Sequence, residues 1–262
     1  MDLVAGIKEL AQYRELLWVW SGRELKARYK QSFFGFAWAV FQPIALTAAF
    51  VVAFSYFIKI PSDGIPYPIF SYSAMLPWTF FVRGLSLGIP SIVQNMNLVT
   101  KIYLPRMIFP LASIMTSFVD YLCGLVVFIG LMIAYRVELT PTMLFIPVLF
   151  LIQIILMVGL TLGASALNVY YRDISQMVPI LLQLWMYASP IIYPLSQVPE
   201  RLRPYYMLNP MAVLLNGYRE VLFFNRLPDL GQVGLALAVS LVVLIIGYSI
   251  FKKVEARFAD II

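Results

Sequence analysis

Two charged residues lie deep inside apolar stretches of the sequence, where an ionised side chain is hardest to accommodate. Arg83 and Asp120 fall about 15–20 Å from the ends of their segments near residues 93 and 107, at about 1.5 Å of rise per helical residue. A charge in hydrocarbon costs at least about 2.5–3.5 kcal/mol, so each should face a partner or a cavity. Two interpretations stay open: a structural ion pair between neighbouring helices, or a polar spot on a pore wall or subunit interface.

The remaining side chains exclude most enzymatic chemistry. The sequence has no histidine and Cys123 is its one cysteine, which excludes His-based catalysis, intrachain disulfides and CxxC zinc sites. It also lacks the GxxxxGK[ST] loop that cradles nucleotide phosphates. An enzyme acting on polyprenyl lipids would need clustered metal-binding acids, whereas the thirteen acids here are scattered singly. We therefore expect no catalytic residue, metal site or cofactor in this chain.

The composition is that of a membrane protein. Hydrophobic residues make up 61% of the 262 residues and charged residues 12%, against about 45–50% and about 25% in soluble domains. The net charge of +6 comes from Lys and Arg at the ends of apolar segments. That distribution is typical of membrane topology and of contact with anionic lipids, and it argues against a nucleic-acid partner.

Six apolar stretches, each of about the length that crosses about 30 Å of hydrocarbon, follow a basic N-terminal segment. We predict an all-α integral membrane protein with six transmembrane helices at residues 34–58, 68–93, 107–135, 143–169, 177–195 and 230–251. These form one transmembrane domain, residues 34–252. Residues 1–33 are expected to form an amphipathic helix at the cytoplasmic membrane interface, and residues 253–262 a cytoplasmic tail.

The positive charges predict the orientation of the chain. With both termini cytoplasmic, the inner segments hold twelve Lys and Arg residues and the outer segments six. The exception is the outer segment 196–229, which carries four arginines and is rich in Pro and aromatic residues. Short re-entrant or gate helices fit this segment better than a flexible loop, because irregular backbone at membrane depth needs protein or a water-filled cavity around it.

An ordered set of motifs resembles the ABC-2-type polysaccharide export permeases, which include the O-antigen and teichoic-acid exporters. The motifs are RELKARYKQS at 23–32, FGFAW at 34–38, QP at 42–43, NLVTKIYLPR at 97–106, PL at 110–111, YRDI at 171–174, SPIIYP at 189–194, NP at 209–210 and YR at 218–219. Each motif is weak alone, but together they span nearly the whole chain in the expected order.

The resemblance implies a transport subunit of the plasma (inner) membrane. Two copies of the permease, a homodimer, would pair with two copies of a separate ATPase that binds ATP and Mg²⁺, and would export a glycan linked to a lipid diphosphate. Two inner segments would contact the ATPase. The residues expected at this coupling surface are Asn97, Lys101, Tyr103, Arg106, Arg172 and Asp173.

The resemblance and the residue types together predict three further sites. A gate at the outer face is expected where two prolines interrupt the fifth span, at Tyr187, Ser189, Pro190, Tyr193 and Pro194. Basic residues of the N-terminal helix would anchor lipid headgroups or, alternatively, guide the lipid diphosphate; these are Arg23, Lys26, Arg28 and Lys30. Aromatic side chains that stack on sugars would line the channel, unless they only pack or face lipid; the candidates are Phe34, Trp38, Phe41, Tyr72, Trp78 and Phe81.

The leading functional hypothesis is a permease subunit that exports lipid-linked polysaccharide of the O-antigen type. A teichoic-acid exporter or another ABC-2 exporter is the alternative within the family. A membrane-embedded enzyme acting on polyprenyl lipids and a passive channel are the alternatives from other classes.

Overall fold

The computed structural model describes residues 6, 11–30, 37–99 and 104–255. Every regular element in these ranges is a helix, which confirms the all-α prediction for that part of the chain. The α-helices are α1 (Arg14–Tyr29), α2 (Trp38–Phe50), α3 (Tyr67–Gly88), α4 (Ser91–Gln94), α5 (Met96–Val99), α6 (Ile108–Ala134), α7 (Ile146–Tyr170), α8 (Ile174–Tyr187), α9 (Arg203–Tyr206), α10 (Pro210–Phe223) and α11 (Leu230–Glu255). A π-helical stretch, Val51–Phe57, extends α2, and 3-10 turns at Pro141–Phe145 and Leu195–Gln197 precede α7 and α9.

Three helical segments in the described residues are long and apolar enough to cross a membrane: Ile108–Ala134, Pro141–Tyr170 and Leu230–Glu255. They coincide with the third, fourth and sixth predicted spans. The second predicted span is the 22-residue α3, and shorter apolar helices occupy the positions of the first and fifth, at Ile44–Phe57 and Ile174–Tyr187. A chain with several membrane-length helices is confirmed, and the count of six spans stays a prediction.

Two predicted helix ends differ from the structure, and a proline lies shortly after each. The fifth span was expected to reach residue 195, but α8 ends at Tyr187. The second was expected to reach residue 93, but α3 ends at Gly88 and a separate short helix begins at Ser91. Pro190 and Pro90 follow these ends, and a proline has no N–H with which to continue the hydrogen bonds of a helix.

Helix α1 packs lengthwise against the first half of α6. The Trp20 ring meets the Phe109 ring edge-on at 5.1 Å, and Arg28 reaches Thr116 further along. Residue numbers rise together on both helices, so they run in the same direction. The helical part of the N-terminal prediction is therefore confirmed, and its place at the membrane interface stays a prediction.

Helices α7 and α11 approach each other through glycines. A Cβ atom on Gly159 would lie 2.6 Å from the Cα of Leu244, and one on Gly163 would lie 3.0 Å from the Cα of Gly247. A Cβ on Gly247 would collide with the carbonyl oxygen of Gly159. Small residues four apart let two membrane helices pack backbone to backbone, which supplies dispersion contacts that lipid cannot replace.

Helix α10 lies beside the first turns of α3 and α7. It begins beside the end of α8, where the Asn209 side chain donates to the carbonyl of Ala188 at 3.1 Å. Two turns into α7, Gln153 accepts a hydrogen bond from the Tyr218 hydroxyl at 3.2 Å. The segment between the fifth and sixth predicted spans thus does contain short helices, α9 and α10.

Candidate functional site

An ion cluster links three helices. The Asp120 carboxylate on α6 accepts from the Arg83 guanidinium on α3 at 2.7 Å and from the Arg28 guanidinium on α1 at 2.9 Å. Arg28 also donates to the Thr116 hydroxyl, and Arg83 to the side-chain oxygen of Gln42 on α2, at 2.6 Å. Arg83 and Asp120 thus form an ion pair, which is one of the two interpretations that the sequence left open. The participation of Arg28, 92 positions away from Asp120 in sequence, is new.

Two cavities flank this cluster. One of about 320 Å³ lies among α2, α3, α6 and α8; Arg83 and Asp120 line it together with apolar side chains such as Leu46, Phe50 and Phe80. The other, of about 280 Å³, lies between α1, α4 and the ends of α3 and α6. Apolar Trp20, Ala27 and Leu87 line it together with polar side chains: Arg23, Glu24, Arg28, Gln94, Asn95 and Ser113. The ion cluster thus lies between a mainly apolar chamber and a mixed chamber that holds more charged side chains.

The basic residues predicted at the headgroup site differ in their surroundings. Arg23, Lys26 and Lys30 are exposed, and the Arg23 guanidinium lies 4.6 Å from the centre of the Trp20 ring. Arg28 instead points at Asp120. Glu24 turns inward and accepts from the Trp20 indole N–H at 3.2 Å, and burial raises its pKa above the usual value.

The segment predicted to form the outer gate is a non-helical stretch between α8 and the 3-10 turn at Leu195–Gln197. Of the five predicted gate residues, two form side-chain hydrogen bonds and two others are buried. The Tyr193 hydroxyl contacts that of Tyr206 at 2.9 Å and donates to the carbonyl of Tyr187 at 2.8 Å. The Asn209 amide donates to the Ser189 hydroxyl at 3.0 Å, and Pro190 and Pro194 are buried. Tyr187 itself is exposed.

A buried arginine organises this segment from the other side. Arg219 on α10 is 3% exposed and donates to the carbonyls of Pro190 and Ile191, the latter at 2.8 Å. Longer contacts reach the carbonyls of Tyr193 at 3.3 Å and Phe70 at 3.4 Å, and the guanidinium lies 3.6 Å from the centre of the Phe70 ring. The sequence places Arg219 in the four-arginine outer segment, but nothing there indicates that its partners are backbone carbonyls of the gate.

The aromatic candidates divide into two groups. Trp38 and Phe41 are exposed on α2, at 42% and 57%. Tyr72 and Phe81 are fully buried among the helices, and the Tyr72 hydroxyl donates to the carbonyl of Gly124 at 2.9 Å. Trp78 is buried but lines the apolar chamber. Phe34 lies outside the described residues. Tyr72 and Phe81 therefore pack inside the bundle of this chain, which is the alternative that the sequence left open, and the lining of a channel stays a prediction.

Four of the six predicted coupling residues belong to the described part of the chain, and these four lie at one end of the helix bundle. Arg106 donates to the backbone carbonyl of Glu255, the last residue of α11, so it joins the segment before α6 to the end of the last helix. Arg172 and Asp173 are exposed between α7 and α8, and Asn97 is exposed on α5. Lys101 and Tyr103 lie outside the described residues.

Comparisons with known proteins extend over almost the whole chain. The family model described as ABC-2 type transporter matches residues 15–223. The chain is 34% identical over 261 residues to the O-antigen export system permease protein RfbA of Myxococcus xanthus, covering 98% of this chain and 99% of that protein. It is 28% identical to a Klebsiella pneumoniae protein of the same name, covering 95% of this chain and 95% of that protein. It is 23% identical to the polysialic acid transport protein KpsM of Escherichia coli, covering 89% of this chain and 91% of that protein. The chain belongs to the ABC-2 type transporter family of membrane proteins.

Proposed function

We propose that this chain is the transmembrane permease subunit of an exporter that moves polysaccharide of the O-antigen type across the inner membrane. The observation that carries the proposal is the end-to-end similarity to O-antigen export permeases, at 34% identity over 98% of the chain. The more distant polysialic acid transport protein supports a long glycan as the substrate class. In line with this, the sequence has no loop for nucleotide phosphates, so ATP and Mg²⁺ are bound by a separate ATPase chain.

The working unit is proposed to be a homodimer with two ATPase copies. The exposed aromatic side chains Trp38 and Phe41 on α2 support a face that a second copy or the glycan covers, since aromatic rings stack on the C–H faces of sugars. Exposed Arg172 and Asp173, with Arg106 attached to the end of α11, are proposed to contact the ATPase on the cytoplasmic side. Both termini are proposed to lie on that side.

The outer gate is proposed to be the unwound stretch after α8. Its carbonyls face Arg219 rather than neighbouring helical N–H groups, so this backbone can rearrange by exchanging side-chain partners without unwinding a helix. The exposed cations Arg23, Lys26 and Lys30 are proposed to attract the anionic headgroup of the lipid-linked glycan.

Export in cells tests the proposal directly. The chain is co-expressed with the ATPase gene found beside its own in a strain that synthesises O-antigen but lacks its own permease. We expect O-antigen at the cell surface, and none when the phosphate-binding lysine of the ATPase is replaced by alanine. Surface glycan that persists with the inactive ATPase indicates a passive channel. An assembled complex that exports teichoic acid but no O-antigen assigns the chain to the other branch of the family.

A further inference from the structure

The ion cluster stands at the boundary between two chambers that differ in polarity. The apolar chamber of about 320 Å³ lies on one side, and the mixed chamber of about 280 Å³, which holds more charged side chains, on the other. Each is at or near the lower end of the volumes of about 300–1,000 Å³ typical of small-ligand pockets. A molecule with an apolar tail and a polar head matches this arrangement, with the junction of its two parts at Arg28, Asp120 and Arg83.

The charges around the cluster leave a positive excess. Among the described residues that line the two chambers, Arg23, Arg28 and Arg83 carry positive charge and Glu24 and Asp120 negative charge. The side chains of Arg28 and Arg83 are 27% and 30% exposed, whereas that of Asp120 is 3% exposed. Both arginine side chains are therefore partly accessible while the carboxylate between them is covered. Guanidinium groups bind phosphate oxygens with paired donors and are the preferred phosphate ligands in proteins.

The cluster also lies at a depth that a lipid phosphate can reach. Counting the about 20 residues of a membrane crossing back from Ala134 puts the other edge of the hydrocarbon near residue 115 of α6. Asp120 then lies only about 8 Å inside that edge, at about 1.5 Å per residue, which is less than the about 15–20 Å counted from the segment end because the first turns of α6, from Ile108, precede the hydrocarbon. Arginine side chains commonly extend over such distances toward headgroups.

We infer that Arg28 and Arg83 form a binding site for the phosphate group of a lipid, in which the phosphate replaces the Asp120 carboxylate and the first part of the lipid tail enters the apolar chamber. The inference deepens the proposed function, since the lipid-linked glycan carries such a group; an ordinary anionic phospholipid shares the same chemistry. Asp120 acts as an internal counter-ion that holds both arginines while no phosphate is bound. Release of Arg28 would free the end of α1 from α6.

Binding measurements on the full chain in phosphatidylcholine nanodiscs test this site without the ATPase or export. The probe is farnesyl diphosphate, a short isoprenoid diphosphate. Arg28→Gln and Arg83→Gln are expected to weaken its binding about tenfold or more, the size of one lost charge-assisted hydrogen bond. Asp120→Asn is expected to strengthen binding by a similar factor, because it removes the competing carboxylate. Lys253→Gln, which removes an exposed charge near the end of α11, is the matched control and should leave binding unchanged.

The opposite signs distinguish a binding site from a purely structural ion pair. A structural pair predicts that Arg83→Gln and Asp120→Asn reduce binding together through loss of folded protein. If Asp120→Asn does not fold, Arg28→Gln decides alone, because it leaves the contact of Arg83 with Asp120 intact. Binding by Arg28→Gln equal to that of Lys253→Gln overturns the inference, even if export is demonstrated in cells.

Competitors identify the source of the phosphate. Phosphatidylglycerol that displaces farnesyl diphosphate at equal concentration supports a site for bulk phospholipid. Failure of phosphatidylglycerol to compete supports a site for the isoprenoid diphosphate. Inorganic diphosphate that binds as tightly as farnesyl diphosphate overturns the placement of the tail in the apolar chamber.

Discussion

Replacing Arg219 by glutamine tests whether one buried side chain holds the outer gate segment in shape. Glutamine is uncharged, carries one amide group and cannot reach the set of carbonyls that the guanidinium contacts. The variant should lose the two shorter bonds, to the carbonyls of Pro190 and Ile191. Charge-assisted bonds contribute about 1.5–3 kcal/mol each, and removing a buried charge recovers part of the desolvation cost. We expect a net loss of about 3 kcal/mol in the free energy of unfolding.

Arg226 provides a matched control on the same segment. Its guanidinium contacts Glu220 at 3.0 Å, but its side chain is 64% exposed. Exposed ion pairs contribute about 0–1 kcal/mol, so Arg226→Gln should change stability little. Thermal unfolding of the purified variants in one detergent compares them directly. Labelling of a cysteine introduced at Ile192, a buried residue of the gate, reports whether the segment opens.

The Arg219 variant should show faster cysteine labelling and a lower unfolding midpoint, whereas Arg226→Gln should match the unsubstituted chain in both. Arg219→Lys keeps the charge but not the fork of donors, and should fall between them. If Arg219→Gln unfolds at the same temperature as Arg226→Gln, the carbonyl contacts do not stabilise the gate and the reasoning fails.

Three further substitutions test other contacts. Gly247→Val should destabilise the chain by more than about 3 kcal/mol because its side chain meets backbone across the α7–α11 contact, whereas Gly234→Val on the same helix meets open space and should have little effect in the same unfolding assay. Gln153→Leu leaves the buried Tyr218 hydroxyl without its acceptor and should cost about 1–3 kcal/mol in that assay. Arg172→Ala should lower substrate-stimulated ATPase activity of the assembled complex at unchanged thermal stability. A loss of stability with unchanged ATPase activity would contradict its coupling role.

Sequence patterns predicted the helices well where the apolar signal was long. The third span was expected at 107–135 and is found at Ile108–Ala134, and the last was expected from residue 230 and begins at Leu230. These helices can be recognised from composition because many of their exposed side chains are apolar as well as their buried ones, which makes the apolar run continuous. The prolines predicted an interruption of the fifth span within residues 189–194, but α8 already ends at Tyr187, before Pro190.

Long-range contacts were the part that the sequence could not provide. Arg28 and Asp120 are both polar residues on helices, but nothing in either segment indicates that they meet. The contacts of Arg219 were equally impossible to predict from the sequence, because its partners are backbone carbonyls and every residue has one. The burial of Tyr72 and Phe81 was missed for another reason: α3 is enclosed on most of its surface, so its residues show no apolar stripe that would separate a channel face from a packing face.

The glycine contact between α7 and α11 has a mechanical consequence. Backbones packed this closely resist sliding, so α11 behaves as a stiff rod of about 39 Å, at about 1.5 Å per residue. The first residue of this helix, Leu230, follows α10 and the proposed gate segment in sequence. The carbonyl of its last residue, Glu255, accepts a hydrogen bond from Arg106 of the proposed ATPase-facing segment. A tilt of about 5° about one end would displace the other by about 3 Å, roughly the length of a hydrogen bond. Small movements at the proposed ATPase contact would therefore reach the proposed gate as the making or breaking of individual hydrogen bonds.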